Sequence, residues 1–270
     1  MLYHAREATL QLSDLQLDYL TFGRGPKPLV MIQGLNTRNI RGAALPLAYM
    51  YRMFTKDYTV YIFDRRRNVQ PGVTVRDLAA DVAKAMDALG LSGAYVMGVS
   101  QGGMIAQYLA IDRPDLVGKL ALAVTLSRNN ETVQRVVSDW ISMTERGAMQ
   151  ALVADMAEKM YSPAYVRRYR PFLPLLTLLQ KPRDVQRFLT LARACLTCST
   201  YDELGSIRCP VLVLGGRQDQ VVTGIASEEI AAKLGCPIRM YDHLGHAAYE
   251  EARDFNQTVY DFFAGRMASC

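Results

Sequence analysis

Histidine is the scarcest of the side chains that do chemistry near neutral pH: the 270-residue chain has three, His4, His243 and His246. Imidazole is the commonest general base and a frequent metal ligand, so any mechanism that needs one is confined to these positions. No run of about 18 apolar residues occurs, which excludes an ordinary membrane-spanning helix. The first ten residues carry His4, Arg6 and Glu7 and lack the apolar centre of a secretory signal, so the expected location is the cytoplasm. Cysteine numbers five, an odd count that argues for free thiols rather than a disulfide framework. Cys195 and Cys198 form a single C-x-x-C that closes a helical pattern, with neither a second pair nor a nearby histidine to complete a zinc set. No metal and no organic cofactor is therefore expected.

Charge of either sign is modest, with 31 Lys and Arg against 26 Asp and Glu. Two local clusters, Asp64-Arg65-Arg66-Arg67 and Arg167-Arg168-Tyr169-Arg170, have no nucleic-acid motif beside them and read as solvated surface. Neither a nucleic-acid nor a membrane partner is expected, and the oligomeric state is left open.

What the chain does have is a set of short apolar runs, each ending in a loop that holds a polar side chain. Tyr95 to Val99 is such a run, and it breaks into Gly98-Val99-Ser100-Gln101-Gly102 before turning helical. This is a G-x-S-x-G elbow between a strand and a helix. Glycines flank the serine because the backbone turns too sharply for larger side chains, and a strained central position pushes the hydroxyl into the open. Ser100 is the candidate nucleophile. The helix it opens runs from Met104 to Ile111 with Pro114 just beyond, and its N-terminus favours a nearby oxyanion.

A serine hydroxyl needs a base, and the base needs a group to orient it. His246 follows Gly245 in a loop between the strand Pro237 to Tyr241 and a last helix with Phe255, Val259 and Phe262 at helical spacing. His243 and His246 are three apart, but no carboxylate or cysteine at ligand spacing makes them a metal pair. Pro210 to Leu214 reads as a buried strand, and the loop after it holds one carboxylate, Asp219.

The order Ser100, Asp219, His246, each in a loop after a strand, resembles the α/β-hydrolase fold superfamily. The resemblance spans nearly the whole chain and rests on G-x-S-x-G-G, P-V-L-V-L-G-G-x-x-D and G-H before a final helix. It implies an α/β fold, with a mostly parallel central sheet flanked by helices and an inserted helical cap. The core domain is expected over residues 1–126 and 207–270. The cap is expected over 127–206, where strand signals stop and helical patterns take over, as in Val133, Val137 and Trp140. It further implies an oxyanion hole from the main-chain N–H groups of Leu35 and Gln101, with Gln33 standing where members of the superfamily usually carry histidine. Asp64 and Arg66 resemble the remnant of a D-x-R-G-x-G-x-S loop that has lost its glycines.

On that resemblance the expected activity is serine hydrolysis of a carboxylic ester or lactone of a small, partly apolar substrate, through an acyl-enzyme on Ser100. Gln33, Asn36, Trp140 and Tyr161 are candidate substrate contacts. A carbon–carbon bond hydrolase, an acyltransferase, or a ligand-binding member without turnover are the alternatives, because fold alone does not choose among them.

Overall fold

The computed structural model describes residues 2–266. The chain runs β1 (Arg6–Gln11), β2 (Gln16–Gly23), β3 (Lys27–Ile32), α1 (Ala44–Met50), β4 (Tyr58–Phe63), α2 (Val75–Ala88), β5 (Ala94–Val99), α3 (Gln101–Asp112) and β6 (Val117–Ala123). Five helices then follow without a strand: α4 (Glu131–Glu145), α5 (Met149–Met160), α6 (Pro163–Tyr169), α7 (Leu173–Gln180) and α8 (Val185–Cys195). The chain closes with β7 (Val211–Gly216), α9 (Gly224–Leu234), β8 (Ile238–Tyr241), α10 (Ala248–Glu251) and α11 (Phe255–Phe263). Among the described residues no helix is long and apolar enough to cross a membrane.

The eight strands form one sheet in the order β1-β2-β4-β3-β5-β6-β7-β8. Antiparallel pairing is confined to the β1–β2 hairpin and the β2–β4 contact, and every other neighbour is parallel. Parallel strands have both faces covered and read as continuous apolar runs. Alternation sorts their side chains. Val30 and Ile32 of β3, Val96 of β5 and Val213 of β7 join α2, α3 and α9 in one apolar layer. Leu29, Met31, Met97 and Leu212 point the other way, into a layer closed by α1 and α11.

α2 begins as its sequence dictates. Thr74 caps it by accepting from the Asp77 N–H, and the Asp77 carboxylate accepts from the Thr74 N–H in return, a reciprocal box that satisfies two otherwise orphaned donors. Its apolar face, Leu78, Val82 and Met86, is buried against the sheet.

Between β3 and β5 the winding reverses, since the chain passes from β3 outward to β4 and returns to β5 on the other side. Crevices at such points, at the carboxyl ends of the strands, are where ligands bind in open α/β sheets. The five-helix insertion leaves and rejoins the sheet at a narrow neck. Arg128 and Ser199 form an isolated bridge, and the Thr200 N–H donates to Ser127 O at 2.7 Å.

Within the stretch expected to be helical, Pro163–Tyr169 and Leu173–Gln180 form α6 and α7. Pro163 is the first residue of α6 and Pro174 the second of α7, positions whose N–H has no intrahelical partner in any helix.

Candidate active site

β5 delivers Ser100 to the crevice in a conformation that few side chains tolerate, with φ at 54° and ψ at −120°. Strain of this kind persists only where the surroundings enforce it. Here a β-carbon at Gly98 would fall 2.4 Å from Gly102 O, and one at Gly102 would fall 1.9 Å from Ile32 O. The elbow and the end of β3 are packed backbone against backbone, and only glycine fits. Thr125 Oγ1 donates to Ser100 O at 2.8 Å, and the Ser100 N–H donates to Ala123 O at 2.9 Å, which ties the elbow to the end of β6.

Three loops then bring their side chains together. His246 Nε2 lies 2.9 Å from Ser100 Oγ, and its Nδ1 lies 2.8 Å from Asp219 Oδ2. The other carboxylate oxygen, Oδ1, accepts from the Val221 and Val222 N–H groups at 2.7 and 3.0 Å. Asp219 is thereby fixed by its own loop. Asp219 and His246 are buried, and Ser100 is half-buried facing a cavity of about 190 Å3. His243, by contrast, is exposed and outside this cluster.

Gly34 lies against Ser100, since a β-carbon there would sit 3.2 Å from Ser100 Cβ. Beside it the Leu35 N–H, like that of Gln101 at the start of α3, has no acceptor among the described residues. The loop that carries Leu35 is held from below. Arg65 Nη2 donates to Gln33 O at 2.6 Å and also approaches Gly34 O and Gln101 Oε1 at 3.4 and 3.3 Å. From the side, Asn36 Nδ2 donates to Gln33 Oε1 at 3.1 Å. The Gln101 amide continues the link by donating from Nε2 to Leu191 O in α8 at 2.7 Å.

Arg65 corrects an expectation. The Asp64–Arg67 cluster reads as solvated surface, yet Asp64 is 3% exposed and Arg65 4%. The segment leaves β4 directly beneath the β3 exit, where carbonyls need donors, and a guanidinium reaches several of them. Its Nε and Nη1 have no partner among the described residues. Burial lowers its pKa to about 10, with Asp64 acting in the opposite direction, so it stays cationic at neutral pH. Arg66 instead forms an ion pair with Asp81, and Arg67 with Asp18. The signal that could have found Arg65 is its position two residues past a buried strand on the side of the sheet where Ser100 lies.

Of the four candidate substrate contacts, Gln33, Asn36 and Trp140 line the cavity. Trp140 is fixed by its indole N–H, which donates to Asp155 at 2.7 Å. Tyr161 stands one step back, its hydroxyl donating at 2.7 Å to Glu250 Oε2, and it is Glu250 that reaches the cavity. Desolvation by the surrounding protein raises the Glu250 pKa. Adjacent Glu251 adds to the shift, against hydrogen bonds from Tyr161 and Tyr249. Val133, Val137, Met156 and Met160 of the insertion make much of the remaining wall apolar.

Cys195 and Cys198 are buried free thiols, and burial raises each pKa to about 12. Reactive thiols have depressed values, so neither is activated for redox exchange. Among the described residues no group of three or more His, Cys, Asp or Glu is placed to hold a metal ion.

A mostly parallel sheet that reverses between β3 and β5, with a strained serine at the end of β5, defines a class. The chain belongs to the α/β hydrolase fold family, whose model matches residues 27–252. Among curated proteins it is 28% identical over 246 residues to "Putative carbamate hydrolase RutD" of Caulobacter segnis, covering 86% of this chain and 91% of that one. It is 23% identical over 226 residues to 3-oxoadipate enol-lactonase 2 of Acinetobacter baylyi, covering 82% of each. Among solved structures, the enol-lactonase from Burkholderia xenovorans LB400 superposes with a TM-score of 0.83 at 22% identity, covering 95% of this chain and 100% of that one.

Proposed function

We propose that the protein is a serine hydrolase that cleaves a carboxylic ester or lactone of a small, partly apolar substrate through an acyl-enzyme on Ser100. The observation that carries this reading is the continuous relay from Ser100 Oγ to His246 Nε2 at 2.9 Å and from His246 Nδ1 to Asp219 at 2.8 Å. With Asp219 accepting from Nδ1–H, the imidazole holds the tautomer whose Nε2 accepts the serine proton. Ser100 attacks the substrate carbonyl, and the Leu35 and Gln101 N–H groups receive the developing oxyanion. His246 then protonates the leaving oxygen, water enters, and the same base activates it to release the acid. The insertion acts as a cap over residues 127–206, supplying the apolar wall through α4 and α5. The cavity of about 190 Å3 lies below the range typical of drug-sized ligands, which supports a small acyl or alcohol group.

The named relatives favour the same bond class. An enol-lactone and a carbamate both present a carbonyl carbon beside a heteroatom leaving group, and each is open to attack by an activated serine. The test is hydrolysis of a p-nitrophenyl ester series, short to medium chain, by the wild type and by Ser100→Ala, with fluorophosphonate labelling of both read by mass spectrometry. Labelling at Ser100 alone is expected, with kcat in the variant lower by about 10³-fold or more. Turnover or labelling that survives in Ser100→Ala sinks the reading.

A further inference from the structure

Beside the small cavity at Ser100 lies a larger one of about 1150 Å3, and the two share Gln33, Asn36 and Leu47 in their walls. Six arginines line the larger space, Arg38, Arg41, Arg65, Arg67, Arg183 and Arg187. Three carboxylates face them, Asp18, Asp64 and Asp184, and all three are engaged. Asp18 pairs with Arg41 and Arg67, and Asp64 pairs with Arg187 at 2.9 Å. Asp184 caps α8 by accepting from the Arg187 N–H, also at 2.9 Å. Cationic charge is left in excess. Arg38 Nη1 turns to a carbonyl, Leu179 O, at 3.0 Å.

The excess is graded in depth. Arg65 is buried with two guanidinium nitrogens unpartnered, Arg38 and Arg187 are half-buried, and Arg41 and Arg183 are exposed. The Arg183 N–H donates to Thr37 O at 3.3 Å, which brings the loop before α8 against the loop after β3 at this rim. A cleft lined by one sign of charge over low-dielectric walls concentrates ligands of the other sign, and a guanidinium takes a carboxylate through paired N–H groups.

We infer that this second cavity is an anion subsite, selecting substrates that carry a carboxylate remote from the scissile carbonyl. The inference rests on the proposed hydrolase reading of Ser100. The reacting carbonyl sits at Ser100, the substrate chain passes the Gln33–Asn36 pair, and the charge lodges among the arginines. The cavity at Ser100 then sets the length and apolarity of the linker, and the arginines set the charge. The anionic group takes no part in bond cleavage, so its effect falls on binding of the anionic substrate.

The experiment compares p-nitrophenyl butyrate with mono-p-nitrophenyl glutarate, which differ by one terminal carboxylate. Spontaneous hydrolysis of each is subtracted using Ser100→Ala. The glutarate is expected to be preferred in kcat/KM by about tenfold at low salt, the scale of one charge-assisted hydrogen bond, with the gain carried by KM. Raising salt from about 20 mM to about 500 mM is expected to erode that ratio several-fold. In Arg38→Gln/Arg183→Gln the ratio is expected to fall to about one, which removing the partners of one charge-assisted bond accounts for. A wild-type ratio at or below one overturns the inference, as does a ratio indifferent both to salt and to the double substitution. If the double variant does not fold, the salt dependence of the wild-type ratio decides. Butyrate turnover without preference defeats the subsite alone. Failure to turn over either ester, with no labelling of Ser100, defeats the hydrolase reading as well.

Discussion

Beyond Asp219 and His246, Arg65 supports the loop beside Ser100 and Glu250 reaches its cavity. Arg65 serves Gln33 O with one nitrogen and leaves two without partners. Burying an incompletely paired cation is costly, so replacing it with an apolar chain of similar length removes that cost along with the hydrogen bonds. Arg65→Met is therefore expected to leave thermal unfolding within a few degrees of the wild type. Yet it is expected to lower kcat by about 10- to 100-fold with little change in KM for a neutral ester, because the loop that carries the proposed Leu35 donor loses its support. Arg65→Lys, which keeps a donor, is expected to recover part of kcat; steady-state kinetics and calorimetry on the three proteins check both halves.

Glu250, exposed on one side to solvent that screens its charge, adds a modest pH dependence. Its folded pKa is raised above the ordinary value of 4.5, so the folded protein binds this proton more tightly than the unfolded chain does. The stabilisation is complete below the unfolded value and is lost as pH rises through the folded one. Glu250→Gln removes that titration. Its Tm is expected to match the wild type near pH 4 and to exceed it increasingly toward pH 8, and equal Tm differences at both ends would contradict this account.

At the scale of elements, the junction of α5 and α6 is fastened to the loop that carries His246. The Ala247 N–H donates to Met160 O at 2.7 Å. The Ser162 N–H and Oγ donate to Glu251 at 2.9 and 2.5 Å. Glu251→Ala cuts the Ser162 pair and is expected to lower kcat/KM by about 3- to 10-fold while exposing the α5–α6 junction to protease. Local openings of this kind are governed by few buried contacts and exposed hydrogen bonds. Timed digestion beside kinetics tests it.

The elements also show what sequence pattern can carry. Buried parallel strands are legible as apolar runs, as at Pro210 to Leu214, and the elbow is legible because glycine spacing encodes close backbone approach. The starting points of α6 and α7 are not, since proline reads as a breaker unless its place in the first turn is known. Arg65 was illegible because its neighbours Arg66 and Arg67 pair with nearby aspartates at partly exposed positions. Only the three-dimensional meeting of β3 and β4 distinguishes the three. The Ser100, Asp219 and His246 positions could be chosen from sequence because so few histidines compete, and because each follows a strand whose end faces the same crevice.

For the molecule as a whole, Cys195, Cys198, Cys209 and Cys236 are free thiols, and the fold relies on packing across two apolar layers. Reductant is expected to leave the Tm unchanged, and a drop on adding dithiothreitol would point to a cross-link.

The neck at Ser127, Arg128, Ser199 and Thr200 bears on how the chain assembles. β6 must find β7 across the whole length of the five-helix insertion, and closing a long flexible loop carries an entropy penalty that grows with its logarithm. If the insertion folds first and its ends meet at the neck, β6 and β7 are joined by a tether about five times shorter, and the closure penalty falls by about 1.5 kcal/mol. The order of events in folding is then set at a few backbone hydrogen bonds of the neck. Weakening them should slow refolding while leaving the finished enzyme's chemistry intact.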